Sequence, residues 1–255
     1  MLIAVDIGNT NITLGVYEGE ELQFVSRLAS DRSRTADQYT VEIGSILSFN
    51  GACAQAGAAI VSSVVPDLTQ AVTTALRSLT GSRPLVVGPG LKTGLNICTD
   101  IPGQLGADLV AGAVGAIQKY PLPCLVVDLG TASKISLIDR TGTYCGCTIS
   151  PGVGISLNAL VNNGSLLPNV SLAMPRHVIG TNSEDCIRSG VVFGTAGMLD
   201  GLIDRIEQES RDPIAAIVAT GGYAGGIIPC CTHDVILDDT LLLDGLRAIY
   251  LKNAH

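Results

Sequence analysis

The sequence is short of charge, and shortest of positive charge. Asp, Glu, Lys and Arg make up 15% of its 255 residues, against 47% hydrophobic, and 15 basic residues face 23 acidic ones for a net charge of −8. Nucleic acid is therefore not expected as a partner, because phosphate neutralisation needs clustered Lys and Arg. Long apolar runs are missing too. None reaches the roughly 20 residues that a membrane-spanning helix needs, so no membrane association is expected. The apolar residues 1–5 lack a basic flank and meet Asp6 too early for a secretion signal. The eight cysteines contain no Cys-x-x-Cys pair, and His177, His233 and His255 are scattered, which argues against zinc. Without a secretion signal the thiols are expected to be reduced and the protein cytoplasmic. No segment has the composition of a disordered or low-complexity tract.

What the sequence does have is an ordered opening. Residues 2–5 read as a buried strand that ends in Asp6-Ile7-Gly8-Asn9-Thr10, and a second strand-like run, 12–16, begins at once. A carboxylate at a strand end, a glycine that lets backbone N–H groups approach a ligand, and short polar side chains suit a polyphosphate with its metal ion. Asp, Gly and Asn are equally ordinary residues of a tight β-turn. A near-copy lies 122 residues on, where Val127-Asp128-Leu129-Gly130-Thr131-Ala132 matches Val5-Asp6-Ile7-Gly8-Asn9-Thr10. Each copy is followed by two more strand-like runs, which is an internal duplication.

Between the copies the pattern alternates. Residues 2–28 predict three strands, with Glu18-Gly19-Glu20 as a hairpin turn. Residues 26–34 are polar and locally basic (Arg27, Arg32, Arg34), a solvated loop or an anion-facing segment. A helix is expected over 36–47, a strand over 58–65, and a helix to about residue 79 capped by Asp67 after Pro66. A strand at 84–87 and a loop over 91–105 follow. Residues 106–120 predict a helix whose many small side chains permit close packing. Pro121 and Pro123 end it and mark a boundary between domains 1–120 and 121–255.

In the second half, strands are expected at 125–128, 134–139 and 144–149, and a helix starts at Pro151-Gly152. Ser183 is placed to cap a longer helix with Glu184 and Asp185 in its first turn and an apolar stripe of Ile187, Val191, Met198, Leu202 and Ile206. A strand at 215–219 opens into Thr220-Gly221-Gly222, and a last helix covers 241–250.

Two Asp-x-Gly turns on duplicated three-strand units resemble the acetate/sugar kinase, actin and chaperone ATPase superfamily. Within it the whole chain is similar to type III pantothenate kinases, through Asp6-Ile7-Gly8-Asn9-Thr10, Gly106-Ala107-Asp108, Asp128-Leu129-Gly130-Thr131-Ala132, Ile149-Ser150-Pro151-Gly152, Thr220-Gly221-Gly222 and Leu241-Leu242-Leu243-Asp244-Gly245-Leu246. The resemblance implies an α/β fold of two duplicated ribonuclease H-like (actin-like ATPase) domains, each a mixed sheet flanked by helices, with ATP in the cleft between them. It implies transfer of the γ-phosphoryl of ATP to the 4′-hydroxyl of pantothenate, the first step towards coenzyme A. It also implies a homodimer, Mg²⁺ and a monovalent cation, K⁺ or NH₄⁺.

The same resemblance suggests roles. Asp6 holds Mg²⁺ through water, which suits a hard ion that sheds water reluctantly. Gly8, Asn9, Thr10 and Thr131 hold phosphates. Gly221 and Gly222 let the backbone approach the nucleotide, or simply start a helix. Asp128 is linked to the monovalent cation. Asp108 is the general base, unless it is only a carboxylate favoured by a helix start. Thr99, Gly106, Ala107, Asp108, Leu109 and Ser183 line the acceptor side, where Ser183 contacts substrate, caps its helix, or both.

The acceptor side departs from the family pattern. Gly106-Ala107-Asp108 is followed by Leu109, where the family has an arginine implied to bind the substrate carboxylate. Thr99 and Ile101-Pro102 replace a tyrosine and an asparagine-proline, and Ser133, Lys134 and Ser136 replace two threonines and an aspartate. Three explanations are open: a rearranged pocket in which Lys134 supplies the missing charge, a related hydroxylated acceptor without the carboxylate, or a weakened paralogue that partners or regulates an active kinase in a hetero-oligomer.

Overall fold

A computed structural model describes residues 1–52, 57–164, 168 and 170–254; Cys53 and His255 lie outside them. In chain order the elements are β1 (Leu2–Ile7), β2 (Asn11–Glu18), β3 (Glu21–Ala29), α1 (Ala36–Phe49), β4 (Ala58–Ser63), α2 (Pro66–Thr80), β5 (Leu85–Val86), β6 (Asn96–Ile97) and α3 (Ala107–Lys119). They continue with β7 (Cys124–Leu129), β8 (Ala132–Ile138), β9 (Thr143–Pro151), α4 (Val153–Asn163), α5 (Ser183–Glu209), β10 (Ala216–Thr220), the short α6 (Ala224–Ile227), β11 (Ile236–Leu237) and α7 (Leu241–Asn253). They form two compact units, one of Met1–Leu95, Ile101–Gln118 and Leu241–His255, the other of Asn96–Asp100 and Lys119–Thr240.

In the first unit the strand order is β3-β2-β1-β4-β5. β2 runs antiparallel to β1 and β3, while β4 is parallel to β1 and β5 to β4. Alternation along β1 sends Ile3, Val5 and Ile7 to one face, where they pack with Tyr39 and Ile43 of α1 and Val72 and Leu76 of α2. Leu2 and Ala4 take the other face, under Val110 and Val114 of α3 and Leu243 and Leu246 of α7. By the same period Asp6 lies on this second face.

The second unit repeats the plan. Its order is β11-β10-β7-β8-β9-β6, so β9-β8-β7-β10-β11 reproduces β3-β2-β1-β4-β5 with the same strand directions, and β6 adds an edge. The duplication read from the two turns is thus a duplication of whole sheets. Leu125, Val127 and Leu129 pack against Val192, Ala196, Leu199 and Ile203 of α5.

Several local expectations are corrected. β3 runs on to Ala29, since Arg27 pairs with Thr13 across the sheet, so the polar run 26–34 is half strand. The loop 91–105 contains β6, which is held by β9, and a 3₁₀ turn at Pro102–Gln104. Pro66 opens α2 with Val65 at the cap position, leaving Asp67 in the first turn without a capping hydrogen bond. Asn182, not Ser183, caps α5: its side chain accepts from the Asp185 N–H at 2.9 Å. The buried stripe of α5 runs through Val192, Ala196, Leu199 and Ile203, with Val191, Met198, Leu202 and Ile206 on its flanks. α5 is also the one helix among the described residues long and apolar enough to cross a membrane, and 39% of that apolar window is buried inside the protein.

The contiguous division 1–120 and 121–255 gives way to an interleaved one. α7 belongs with the first unit because two glycines let it lie directly on α3. A Cβ on Gly115 would overlap the Leu241 carbonyl oxygen, and one on Gly245 would overlap that of Ala111. The Tyr17 hydroxyl donates to Asp244 Oδ1 at 2.7 Å and fastens the same helix to β2.

Candidate active site

In the first unit the site begins where β1 ends. Asp6 is half-buried, with Thr13 of β2 and Ser62 of β4 as its neighbours in register. The Ser62 hydroxyl is fully buried and has no hydrogen-bond partner. Buried polar atoms are normally satisfied, so this hydroxyl is an exception beside the carboxylate. The turn itself is tightly tied. The Gly8 N–H donates to the Asn11 carbonyl at 3.0 Å, the Ser30 hydroxyl to the Gly8 carbonyl at 2.6 Å, and the Ser30 N–H to the Thr10 carbonyl at 3.0 Å. Asn9 and Thr10 stand exposed at its tip, and Arg32 Nη2 reaches Asn9 Oδ1 at 3.4 Å. The basic segment thus brings one arginine to this turn; Arg34 instead pairs with Asp31 and Glu42.

Asp108 opens α3 on the face of the sheet that also carries Asp6. Its Oδ1 accepts from the Leu109 N–H at 2.9 Å, and the Val110 N–H donates to the Gly106 carbonyl at 3.1 Å. A Cβ on Gly106 would collide with Asp108 Oδ1. The glycine two residues ahead is what leaves room for the carboxylate. Leu109 is half-buried beside it.

In the second unit two turns lie side by side, because Thr220 of β10 pairs in register with Asp128 of β7. Gly221 has φ +100°, and a Cβ there would lie 2.6 Å from the Leu129 carbonyl oxygen. Only glycine fits this approach. Gly222 is exposed and a Cβ there would meet nothing, so packing within the chain does not require a glycine at that position. Gly152, at the N-terminus of α4, crosses over the Thr131 carbonyl so closely that a Cβ would overlap it. That explains why Ile149-Ser150-Pro151-Gly152 accompanies the turn.

The shorter second turn changes which residues face each other. Ile7 pairs with Ile12 across β1 and β2, leaving four residues, 8–11, between the paired ends, whereas Leu129 pairs with Ser133 across β7 and β8, leaving three, 130–132. Lys134 therefore takes the place opposite Asp128 that Thr13 holds opposite Asp6. Its Nζ stands 2.8 Å from Asp128 Oδ2. Lys134 thus binds Asp128, and the reading that gave it to an acceptor carboxylate has no support from this pairing. Ser136, on the same face, hydrogen-bonds the buried Tyr144 hydroxyl at 3.2 Å. Of the other residues expected on the acceptor side, Thr99 follows β6 in the second unit and is half-buried, and Ser183 is exposed at the start of α5.

Sequence reasoning missed Ser62 and the Lys134–Asp128 pair. Both are neighbours across strands, and only the register shows them.

Two sheets of one order, each ending its first strand in an Asp-x-Gly turn, define the actin-like ATPase and sugar-kinase class of folds. The chain superposes with a TM-score of 0.57 on the (R)-2-hydroxyglutaryl-CoA dehydratase component A of Acidaminococcus fermentans, covering 100% of this chain and 99% of that one at 15% identity, a likeness of fold alone. A family profile described as type III pantothenate kinase matches residues 2–205. The chain is 40% identical over 254 residues to the type III pantothenate kinase of Moorella thermoacetica, covering 99% of this chain and 100% of the relative. It is 39% identical to that of Geobacter sulfurreducens, covering 99% of each. The chain belongs to the type III pantothenate kinase family.

Proposed function

We infer that this protein is an ATP-dependent kinase that converts pantothenate to 4′-phosphopantothenate, the first step of coenzyme A biosynthesis. The end-to-end match to pantothenate kinases carries that reading. Phosphoryl transfer asks mainly for positioning and charge neutralisation. In this reading Asp108 accepts the proton of the acceptor hydroxyl as that oxygen bonds to the γ-phosphorus and ADP departs. A positioned base of this kind contributes about 10²–10⁴ in rate.

Asn9, Thr10 and Thr131 are assigned to phosphate oxygens, with Gly8 keeping the first turn tight. Gly221 and Gly222 are assigned to the nucleotide, and the open space at Gly222 favours ligand approach as the reason for glycine there. The half-buried Asp6 carboxylate fits a hydrated Mg²⁺. The ion would lower the negative charge of the phosphates.

Thr99, Gly106, Ala107, Leu109 and Ser183 are assigned to the acceptor. Ser183 does not serve as the cap of α5, which favours substrate contact for its hydroxyl. Leu109 favours one competing reading, a weakened paralogue that partners an active kinase.

We extend the reading to a cytoplasmic homodimer. The outward side of α5 presents Gly190, Gly194 and Gly197 with open space around them, next to an apolar groove of about 640 Å³ lined by Leu160, Ile187, Val191 and Met198.

The test is pantothenate-dependent ADP release by the purified chain with Mg²⁺, beside Asp108→Asn. Turnover by the wild type, lost in the variant, is expected. Retained nucleotide binding without wild-type turnover would reject the kinase reading for the chain alone.

A further inference from the structure

The residues around Asp128 do not fit a free monovalent cation. A positive charge already stands there: Lys134 Nζ lies 2.8 Å from Asp128 Oδ2, and each side chain is only 16% exposed. At that exposure, solvent and salt screen the pair weakly. A second monovalent cation on this carboxylate would face the ammonium at close range and lose most of the attraction the carboxylate offers. A lysine head group is itself an alkylammonium, with the charge of K⁺ or NH₄⁺ and a covalent tether.

The backbone puts it there. Asp128 and Lys134 are directly opposed across the antiparallel β7–β8 pair, so their side chains share a face at the spacing of cross-strand neighbours. This follows from the three residues, 130–132, between the paired Leu129 and Ser133; the first unit has four, 8–11, between Ile7 and Ile12 and places Thr13 opposite its aspartate instead. Asp128 Oδ1 is directed towards the turn, where a Cβ on Gly130 would lie 3.3 Å away.

We propose that Lys134 is a built-in cation at Asp128, and that it frees this enzyme from the need for added potassium or ammonium. The proposal rests on the kinase reading above and deepens it. It assigns Lys134 a role at the second phosphate turn, and it makes cation dependence a property set by one side chain.

Two measurements test it on the full chain. The first is pantothenate-dependent turnover in buffer free of potassium and ammonium, then with each added, for wild type, Lys134→Met and Lys134→Thr. Wild-type rates should change less than about twofold. The variants should lose roughly tenfold or more without the cation, the scale of one charged hydrogen bond, and regain it with potassium or ammonium. The second is thermal melting with potassium against a large organic cation at equal ionic strength. Potassium should raise the melting temperature of the variants and leave that of the wild type unchanged, since only a bound ion stabilises the folded state by mass action. Potassium-dependent wild-type turnover, or equal potassium stabilisation of wild type and variants, would overturn the proposal. A wild type without turnover under any condition rejects the kinase reading, and the melting experiment then still decides whether Lys134 displaces the ion. Should both variants fail to fold, the wild-type response to potassium decides between the two outcomes by itself.

Discussion

The Asp108 carboxylate occupies space that any side chain on Gly106 would fill. Glycine at 106 therefore allows this particular position of the carboxylate, and a larger residue would turn it aside. The carboxylate folds back over the first turn of α3, accepts from the Leu109 N–H and comes to rest against the residue two before it.

Gly106→Ala should therefore act on catalysis through Asp108. Misplacing a reacting group by about 1 Å can cost on the order of 10²-fold in rate. The expected outcome is a fall in kcat of that order, with nucleotide affinity little changed. Kinetics of ADP release together with nucleotide titration check it. A normal kcat in Gly106→Ala would show that the carboxylate position is not critical.

Leu109→Arg should lower the KM for pantothenate. A charged hydrogen bond contributes about 1.5–3 kcal/mol, or roughly ten- to a hundredfold in affinity. Leu109 is half-buried beside Asp108, so a long side chain there can extend from the helix start towards solvent. Initial rates against pantothenate concentration give the answer, and an unchanged or raised KM means the acceptor is held another way.

Gly245→Ala should destabilise the protein without touching the chemistry. The added methyl would be driven into the Ala111 carbonyl and the backbone around Gly115, neither of which can turn aside as a flexible side chain can. Overpacking of this kind costs about 1–3 kcal/mol or more. For a chain of this size that is a fall of several degrees, at roughly 2–4 °C per kcal/mol. Differential scanning calorimetry of the variant and of Gly115→Ala checks it, and the double substitution should be less than additive because the two sites share one contact.

Asp238 and Tyr120 predict how stability depends on pH. Asp238 is buried, which by itself raises its pKa. Hydrogen bonds from Lys119, Tyr120 and Thr240 and the Lys119 charge outweigh burial and hold the carboxyl below 3.8. The Tyr120 hydroxyl donates to Asp238 Oδ2 at 2.7 Å, and burial first, then that bond and the aspartate charge, push its pKa up to about 12. A lowered carboxyl pKa adds stability above its unfolded value, lost as pH falls through the folded one; a raised phenol pKa adds stability below 10.0, lost as pH rises towards 12. Asp238→Asn should thus cost about 1–3 kcal/mol near neutral pH and less in acid. Tyr120→Phe should remove the phenol that titrates near 12 by ultraviolet absorbance. Denaturant unfolding across pH gives the first; an undiminished deficit in acid would contradict it.

Much of the fold could be read from local pattern. The buried strands, the two Asp-x-Gly turns and the small-residue helix α3 are contiguous in sequence, and their periods follow from backbone geometry alone. Element ends were less readable. Asn182 and Ser183 are both good caps, and which one binds the Asp185 N–H depends on how the chain enters α5. Arg27 looked like loop because its polarity suits solvent, yet an edge strand is solvent-facing too.

By itself the sequence determined that two copies of one strand–turn unit exist and that each carries an Asp-x-Gly turn; its resemblance to a kinase family added the expectation of an arginine where Leu109 stands. These are properties of residues close together in the chain. The tertiary structure decided what distant residues do to one another: that α7 joins the first unit through Gly115 and Gly245, that Ser62 leaves a bare hydroxyl beside Asp6, and that Lys134 neutralises Asp128. The last depends on a turn one residue shorter than its counterpart. In a β-pair a single residue of register chooses which side chain faces which, and no local pattern carries that choice.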